Sequence, residues 1–252
     1  MQVKDKLVVV TGAGKGIGRA MAQTFAARGA NLALLDLNDA DLEQTRSLCE
    51  SAGVKAIGYR CNVASEAEVV DTFERIANDA GRLDVLINNA GIVRDSLLVK
   101  EERGQFKKMS LEQWQAVLDV NLTGVFLCGR EAAARMIKFE NGGVIINMSS
   151  VSRSGNIGQS NYAAAKAGVA SMTVVWAKEL ARYGIRTGAI APGFVLTEIL
   201  NTMRPEILER VLMSVPLRRG AQPEEIAQAA VFIVENDYFS GRVLDLDGGL
   251  RL

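Results

Sequence analysis

The stretch VVVTGAGKGIGRAMA, residues 8–22, runs from an apolar, β-branched segment into a glycine-rich turn and then into apolar residues at helical spacing. Gly12, Gly16 and Gly18 would let the backbone approach a phosphate closely, and the N-terminus of the following helix would offer unpaired N–H groups. The spacing is G-x-x-x-G-x-G and differs from the general G-x-G-x-x-G pattern. The stretch predicts a strand, a diphosphate-binding turn and a helix; taken alone, it also fits a tight strand-to-helix connection.

Similar apolar runs recur along the chain and alternate with segments of helical periodicity. Strands that are apolar on both faces and separated by helices are typical of a parallel sheet with right-handed crossovers. We therefore predict an α/β fold: a doubly wound, seven-stranded parallel sheet with helices on both faces, in a single domain over residues 1–252. The predicted strands are residues 7–11, 31–36, 54–60, 83–88, 143–149, 185–191 and 243–247.

The composition argues against several classes of function. Lys and Arg number 29 and so do Asp and Glu, so no net positive charge is available to bind nucleic acid. The longest apolar runs are far shorter than a bilayer span, and MQVKDKL lacks the apolar core of a signal peptide. We expect a cytoplasmic protein that binds neither nucleic acid nor membrane.

Histidine is absent from the chain, and this limits the available chemistry. Ser-His-Asp and Cys-His mechanisms are excluded, as is any metal site that needs imidazole. The cysteines, Cys49, Cys61 and Cys128, are widely separated and show no paired spacing, so we expect them to fill the core. No metal is expected.

An acidic residue ends the second predicted strand. Asp36 lies 18 residues beyond Gly18, about where a carboxylate would accept hydrogen bonds from an adenosine ribose. A carboxylate there would repel a 2′-phosphate, which favours NAD over NADP. Lys15 is the contrary signal, because a base in the glycine turn could reach such a phosphate, so NADP stays possible. Asp36 could also serve only as a turn residue in LDLND.

Tyr162 and Lys166 occupy positions i and i+4 of a predicted helix and so lie on the same face, about one turn apart. A free phenol has a pKa of about 10, and lowering it to about 7 needs about 4 kcal/mol. A neighbouring ammonium, aided by a cationic nicotinamide, would supply this only in a desolvated cleft. The pair predicts a tyrosine that transfers protons; an isolated Y-x-x-x-K would equally fit a surface helix.

Taken together, the motifs resemble the short-chain dehydrogenase/reductase family along essentially the whole chain. The residues that carry the resemblance are TGAGKGIG (11–18), NNAG (88–91), Asn121 in DVNLTGVF, Ser149, YAAAK (162–166) and PGFVLT (192–197). The resemblance implies a Rossmann fold and an NAD(P)-dependent oxidoreductase.

The same resemblance implies roles for individual residues. Tyr162 would supply the proton, Ser149 would hold the substrate oxygen, and Ser150, one residue later, is the alternative. Lys166 would also bind the nicotinamide ribose, and Asn121 would hold a water in a proton relay from Lys166. The residues expected to contact the cofactor are Gly12, Lys15, Gly16, Ile17, Gly18, Asp36, Asn62, Val63, Asn89, Ala90, Gly91, Tyr162, Lys166, Pro192, Gly193, Val195 and Thr197.

Within the family, NNAGIVRDSLL, GNIGQSNYAAAKAG and APGFVLTE most resemble 3-oxoacyl-[acyl-carrier-protein] reductases of fatty acid biosynthesis. The resemblance implies reduction of a 3-oxoacyl thioester, an acyl carrier protein as partner and a homotetramer. Glu140 and Tyr183 stand where bases for an acidic carrier are expected, so coenzyme A remains open as the carrier. The alternatives are an NAD-dependent dehydrogenase of a secondary alcohol or sugar, and a non-catalytic dinucleotide sensor.

Residues 99–114, VKEERGQFKKMSLEQW, lengthen the segment between Gly91 and Asn121. Their mixed charges are typical of a solvated loop. Because they follow the fourth predicted strand, they should emerge at the carboxyl edge of the sheet, where substrates enter. We therefore predict a flap beside the substrate entrance, with Phe106 and Met109 as apolar contacts and the bases facing an anionic carrier or tail.

Overall fold

The computed structural model describes residues 1–198 and 205–251 and contains a parallel seven-stranded sheet. In chain order the strands are β1 (Leu7–Thr11), β2 (Asn31–Asp36), β3 (Ala56–Arg60), β4 (Val85–Asn88), β5 (Val99–Glu102), β6 (Gln105–Lys108), β7 (Gly143–Met148), β8 (Ile185–Pro192) and β9 (Arg242–Leu246). The sheet has the order β3-β2-β1-β4-β7-β8-β9, while β5 and β6 pair only with each other. The predicted fold class is confirmed.

Helices connect the strands of the sheet. They are α1 (Gly16–Ala26), α2 (Asp39–Glu50), α3 (Glu66–Ala80), α4 (Leu111–Leu118), α5 (Gly124–Lys138), α6 (Ser160–Leu180), α7 (Pro205–Ser214) and α8 (Pro223–Glu235). Within residues 1–198 and 205–251, no helix is both long and apolar enough to cross a bilayer.

The sheet is buried on both faces, as the alternation along β1 shows. Val8 and Val10 belong to one apolar cluster, which includes Phe25 of α1 and much of α8. Leu7 and Val9 belong to the other, which includes Phe73 of α3 and residues of α5. Side chains of a strand alternate between faces, so a continuous apolar run is what a two-sided core requires.

The strand order reverses direction between β1 and β4. From β1 the chain moves outward through β2 to β3, then crosses back to β4 and continues to β9 on the other side. Helices that leave β1 and β4 therefore diverge and open a crevice at the carboxyl ends of these strands. Ligands of open α/β sheets bind at this point.

The inserted segment forms a hairpin and not the irregular loop that its composition indicates. β5 and β6 pair antiparallel through four residue pairs, and all eight residues are exposed. Arg103 and Gly104 both have positive φ, 53° and 78°, as a two-residue hairpin turn requires. By register, Val99 and Phe106 lie on one face of the hairpin, and Lys100 and Lys107 lie on the other.

A π-helical turn, Asp119–Thr123, joins α4 to α5, so the three segments form one continuous helix. Asn121 lies in the middle of this turn. Single π-helical turns inside α-helices occur often at functional sites, because the extra residue redirects side chains and backbone groups.

Candidate active site

The glycine turn packs against the start of its own helix. The Gly12 backbone has φ +62°, a conformation that residues other than glycine rarely adopt. A Cβ added to Gly18 would lie 2.0 Å from the Gly12 carbonyl oxygen. Gly18 is therefore required by the packing of α1 on the turn, whereas Gly16 faces the crevice beside Thr197.

The N-terminus of α1 fits an anionic group. Among the residues that the structure describes, no side chain caps this end of the helix, and its first turn contains no acidic residue. The first N–H groups of a helix have no partner within the helix, so they are available to a phosphate. Lys15, exposed at the N-cap position, adds a positive charge at the same place.

Asp36 is already bound to the backbone. Its Oδ2 accepts the Gly14 N–H at 2.8 Å, and its Oδ1 accepts those of Leu37 and Asn38 at 2.7 and 3.1 Å. The carboxylate thus connects the glycine turn to the end of β2 and keeps a fixed place at the mouth of the crevice.

The NNAG turn after β4 is braced on the glycine turn. Thr11 Oγ1 accepts the N–H groups of Asn89 and Ala90, both at 3.0 Å. The Asn89 amide donates to the carbonyl oxygens of Thr11 and Gly12 at 3.1 and 3.0 Å. These bonds fix the two turns that meet where the strand order reverses.

Tyr162 and Lys166 lie together on the first turns of α6. The Lys166 ammonium lies 5.6 Å from the centre of the Tyr162 ring. Lys166 is 3% exposed and its Nζ donates to the Met148 carbonyl at 2.7 Å. Burial lowers the pKa of Lys166 to about 8.

The pKa of Tyr162 is raised and not lowered. Burial is the main cause; the neighbouring hydroxyl of Ser150 opposes the rise, and the negative charge of Asp95 adds to it. The lowering expected from the sequence is not a property of this chain by itself, because loss of water around the phenol outweighs the nearby ammonium.

Two serines compete for the role of a substrate ligand. Ser149 is 3% exposed, and its hydroxyl donates to the Lys166 carbonyl at 2.8 Å. Ser150 lies beside Tyr162 and opposes the rise of its pKa, and Ser150 Oγ accepts the Ser152 N–H at 3.1 Å. The geometry favours Ser150 over Ser149, because the Ser149 hydroxyl is committed to the backbone of α6.

Asn121 is fully buried and holds the cleft wall. Its Oδ1 accepts the Ile92 N–H at 2.8 Å, and its Nδ2 donates to the Ile92 carbonyl at 2.9 Å. The side chain thus clamps the residue that follows the NNAG turn. The predicted relay water would have to use the backbone of the π-helical turn or the remaining bonding capacity of the Asn121 amide.

These groups surround one cleft of about 550 Å³ at the carboxyl edge of the sheet. Of the residues predicted to take part in catalysis or to contact the cofactor, Gly18 and Asn121 are not on its surface, and they support it from behind. The predicted residues that line the cleft are Gly12, Lys15, Gly16, Ile17, Asp36, Asn62, Val63, Asn89, Ala90, Gly91, Ser149, Tyr162, Lys166, Pro192, Gly193, Val195 and Thr197.

Comparison with known proteins agrees with this arrangement. A family model described as enoyl-(acyl carrier protein) reductase matches residues 12–251. A 3-oxoacyl-[acyl-carrier-protein] reductase of Thermotoga maritima is 40% identical over 252 residues, which cover 99% of both chains. The chain belongs to the short-chain dehydrogenase/reductase family. Proteins of the same description in Synechocystis sp. and Bos taurus are each 39% identical, over 97% and 98% of this chain and 96% and 99% of their own.

Membership of the short-chain dehydrogenase/reductase family confirms the predicted class of enzyme, an oxidoreductase that uses a nicotinamide dinucleotide. The uncapped N-terminus of α1, the glycine turn and the cleft fit such a group. Several cleft residues escaped the sequence reasoning, among them Val93, Gln159 and Phe194. Each lies inside a stretch that the sequence analysis quoted, NNAGIVRDSLL, GNIGQSNYAAAKAG or PGFVLT, so the motifs themselves held the signal.

Proposed function

We propose that the protein reduces 3-oxoacyl thioesters to 3-hydroxyacyl thioesters with a nicotinamide dinucleotide. One observation carries the proposal: Ser150, Tyr162 and Lys166 share a cleft with the glycine turn and Asp36. The relatives named 3-oxoacyl-[acyl-carrier-protein] reductases, which match nearly the whole chain, support the choice of substrate.

When bound, the nicotinamide supplies the hydride. The glycine turn and the N-terminus of α1 would hold the diphosphate, Asp36 the adenosine ribose and Lys166 the nicotinamide ribose. Asn62 and Val63 would lie by the adenine, and the loop of Pro192, Gly193, Val195 and Thr197 would hold the carboxamide.

Tyr162 is proposed as the proton donor. Because burial raises the pKa of Tyr162, its phenol is protonated at neutral pH, the form that can give a proton to the forming alkoxide. The hydroxyl of Ser150, which lies beside Tyr162 in the cleft, would hold the same substrate oxygen. Lys166, charged below about pH 8, would stabilise the phenolate that remains, and the Asn121 turn would return the proton through water.

NAD is proposed as the preferred cofactor. The Asp36 carboxylate has a fixed position because three backbone N–H groups bind it. A fixed charge discriminates against a 2′-phosphate more strongly than the exposed, flexible side chain of Lys15 can attract one.

The proposal also covers the carrier of the acyl group, the oligomeric state and the hairpin. The thioester would be presented by an acyl carrier protein or coenzyme A, and the single-domain chain would act as a homotetramer. The hairpin within residues 99–114 would be a flap at the entrance. It continues from Leu98, and the Met109 N–H donates to the Leu98 carbonyl, so the two ends of the hairpin meet at one point, shortly after Ser96.

The test is turnover of a 3-oxoacyl thioester, as acyl carrier protein and coenzyme A forms, with NADH and NADPH in parallel. Tyr162→Phe should abolish turnover and leave NADH binding nearly unchanged, because it removes only the hydroxyl. Tyr238→Phe, at a fully exposed tyrosine shortly after α8, is the matched control. Reduction of an enoyl thioester but no 3-oxoacyl thioester, or full activity of Tyr162→Phe, would contradict the proposal.

A further inference from the structure

Asn161, next to Tyr162, has a side chain that bonds three separate segments. It is fully buried at the second position of α6. Its Oδ1 accepts the Tyr162 N–H at 2.8 Å. Its Nδ2 donates to the carbonyl oxygens of Arg94 and Gln113, at 3.1 and 3.0 Å. Both amide protons and the carbonyl oxygen are therefore in use, a set that no other side chain of this size provides.

The first of these bonds serves the helix that carries Tyr162. Gln159, the N-cap residue of α6, makes no side-chain cap bond. Asn161 supplies an acceptor from inside the first turn instead. Because the accepted N–H belongs to Tyr162 itself, the bond acts on the backbone from which the phenol projects.

The second bond holds the cleft-wall segment, residues 92–96. This segment has almost no regular structure and is largely exposed, so its position depends on a few tethers. Ile92 is clamped by Asn121, Arg94 is bound by Asn161, and the Ser96 N–H donates to the Gly158 carbonyl at 2.9 Å. Asn161 provides the tether in the middle.

The third bond reaches α4, because Gln113 lies in its first turn. α4 continues through the π-helical turn that carries Asn121. Asn161 thus connects the helix of Tyr162 to the helix of Asn121 by two routes, one through Gln113 and one through the cleft-wall segment.

We propose that Asn161 is a positioning residue that locks the cleft-wall segment and the first turn of α4 to the base of Tyr162. The effect on turnover that follows from this role rests on the proposed function. Loss of the two donated bonds would let the cleft wall move relative to the phenol. A displacement of about 1 Å between reacting groups can lower a rate about a hundredfold.

The segment also carries a charge that faces the phenol. Asp95 contributes to the raised pKa of Tyr162, and Gln159 Nε2 donates to its Oδ2 at 2.9 Å. Lys166 and Ser150 are the other groups that face the ring. Movement of the segment should therefore change the titration of Tyr162, which a purely structural role of Asn161 would leave unaltered.

The experiment compares Asn161→Ala and Asn161→Ser with Asn141→Ala. Asn141 is a matched control, because its Nδ2 also donates twice, to the Leu83 carbonyl at 2.9 Å and to Asp84 Oδ1 at 3.2 Å, at the amino edge of the sheet. Serine keeps an acceptor for the Tyr162 N–H and loses the double donor, so it tests the clamp if the alanine variant fails to fold.

Three readouts are measured on each folded variant: amide hydrogen exchange, the phenolate absorbance of Tyr162 against pH, and thioester kinetics. In the Asn161 variants we expect faster exchange at Ile92 and Ser96, a changed Tyr162 titration and turnover lowered about a hundredfold, with NADH affinity within about twofold of wild type. Asn141→Ala should lose stability and change none of these.

If the Asn161 variants match Asn141→Ala in exchange, titration and turnover, the side chain only stabilises the fold and the proposal is overturned. If the wild-type protein reduces no thioester, the proposed function fails. Hydrogen exchange and the phenolate titration still decide the role of Asn161 in that case, since neither needs substrate.

Discussion

Replacement of Lys166 by methionine is expected to make the protein more stable at neutral pH. The ammonium is 3% exposed, and burial lowers its pKa from 10.5 to about 8. That difference corresponds to about 3 kcal/mol of destabilisation of the charged form in the folded state. Methionine keeps most of the apolar stem and removes the charge.

The stabilisation that comes from removing the buried charge is reduced, because the variant also loses one hydrogen bond. Lys166 Nζ donates to the Met148 carbonyl at 2.7 Å, and such a bond contributes about 1.5 kcal/mol. The net stabilisation of Lys166→Met at pH 7 is therefore about 1 to 2 kcal/mol, or about 2 to 4 °C in Tm for a chain of this size.

The effect has a defined pH dependence. Below about pH 8 both states hold the proton and the wild-type protein bears the full cost of the buried charge. Between about pH 8 and 10.5 the unfolded state binds more protons than the folded state, so wild-type stability rises with pH relative to the variant. Above about pH 9 the wild type should become the more stable of the two.

The assay is urea unfolding of wild type, Lys166→Met and Lys178→Met at several pH values from 7 to 10. Lys178 is an exposed lysine of the same helix, so its replacement controls for a general effect of losing a positive charge on α6. A Lys166→Met protein that is no more stable than wild type at pH 7, or a stability difference that is constant with pH, would refute the reasoning.

Three further outcomes are expected. Ser150→Ala should lower thioester turnover far more than Ser149→Ala, because the Ser149 hydroxyl is bound to the Lys166 carbonyl whereas Ser150 lies beside Tyr162; equal losses in kcat would contradict this. Asp36→Ala should raise kcat/KM for NADPH about tenfold, since removing the repulsive carboxylate is worth about 1 to 3 kcal/mol, unless the wild type already prefers NADPH. Replacement of residues 99–108 by a short turn should raise KM for thioesters and leave KM for NADH unchanged; unaltered thioester kinetics would show that the hairpin takes no part in substrate binding.

The central strands could be predicted because their sequences carry the signal by themselves. Residues 7–11 and 31–36 are strands with the predicted bounds, since both runs are apolar on two faces and end at polar residues. β3 and β4 begin two residues later than predicted, where the residues before them lead into the sheet without pairing in it.

The hairpin could not be predicted from apolar periodicity, because its strands are exposed and charged. The signal that was present is local. Arg103 and Gly104 form a two-residue turn with positive φ, and a glycine in such a turn is typical of a hairpin.

The cleft was largely predictable, since its motifs follow predicted strands of a parallel sheet, and the carboxyl ends of such strands lie at one edge. The choice between Ser149 and Ser150 was not, because spacing alone does not fix which of two neighbouring side chains turns toward Tyr162. Asn161 was also missed: the two carbonyl groups that it binds, at Arg94 and Gln113, are remote in sequence.

The three backbone hydrogen bonds of Asp36 bear on how cofactor preference can evolve. One carboxylate both faces the cofactor cleft and holds Gly14 in the glycine turn, so a substitution that admits a 2′-phosphate also removes an acceptor that the turn requires. The effect of a substitution at Asp36 would therefore depend on a second position. The substitution destabilises the protein unless another acceptor for the Gly14 N–H has been acquired first. Lineages that switch preference are expected to follow this order of substitutions.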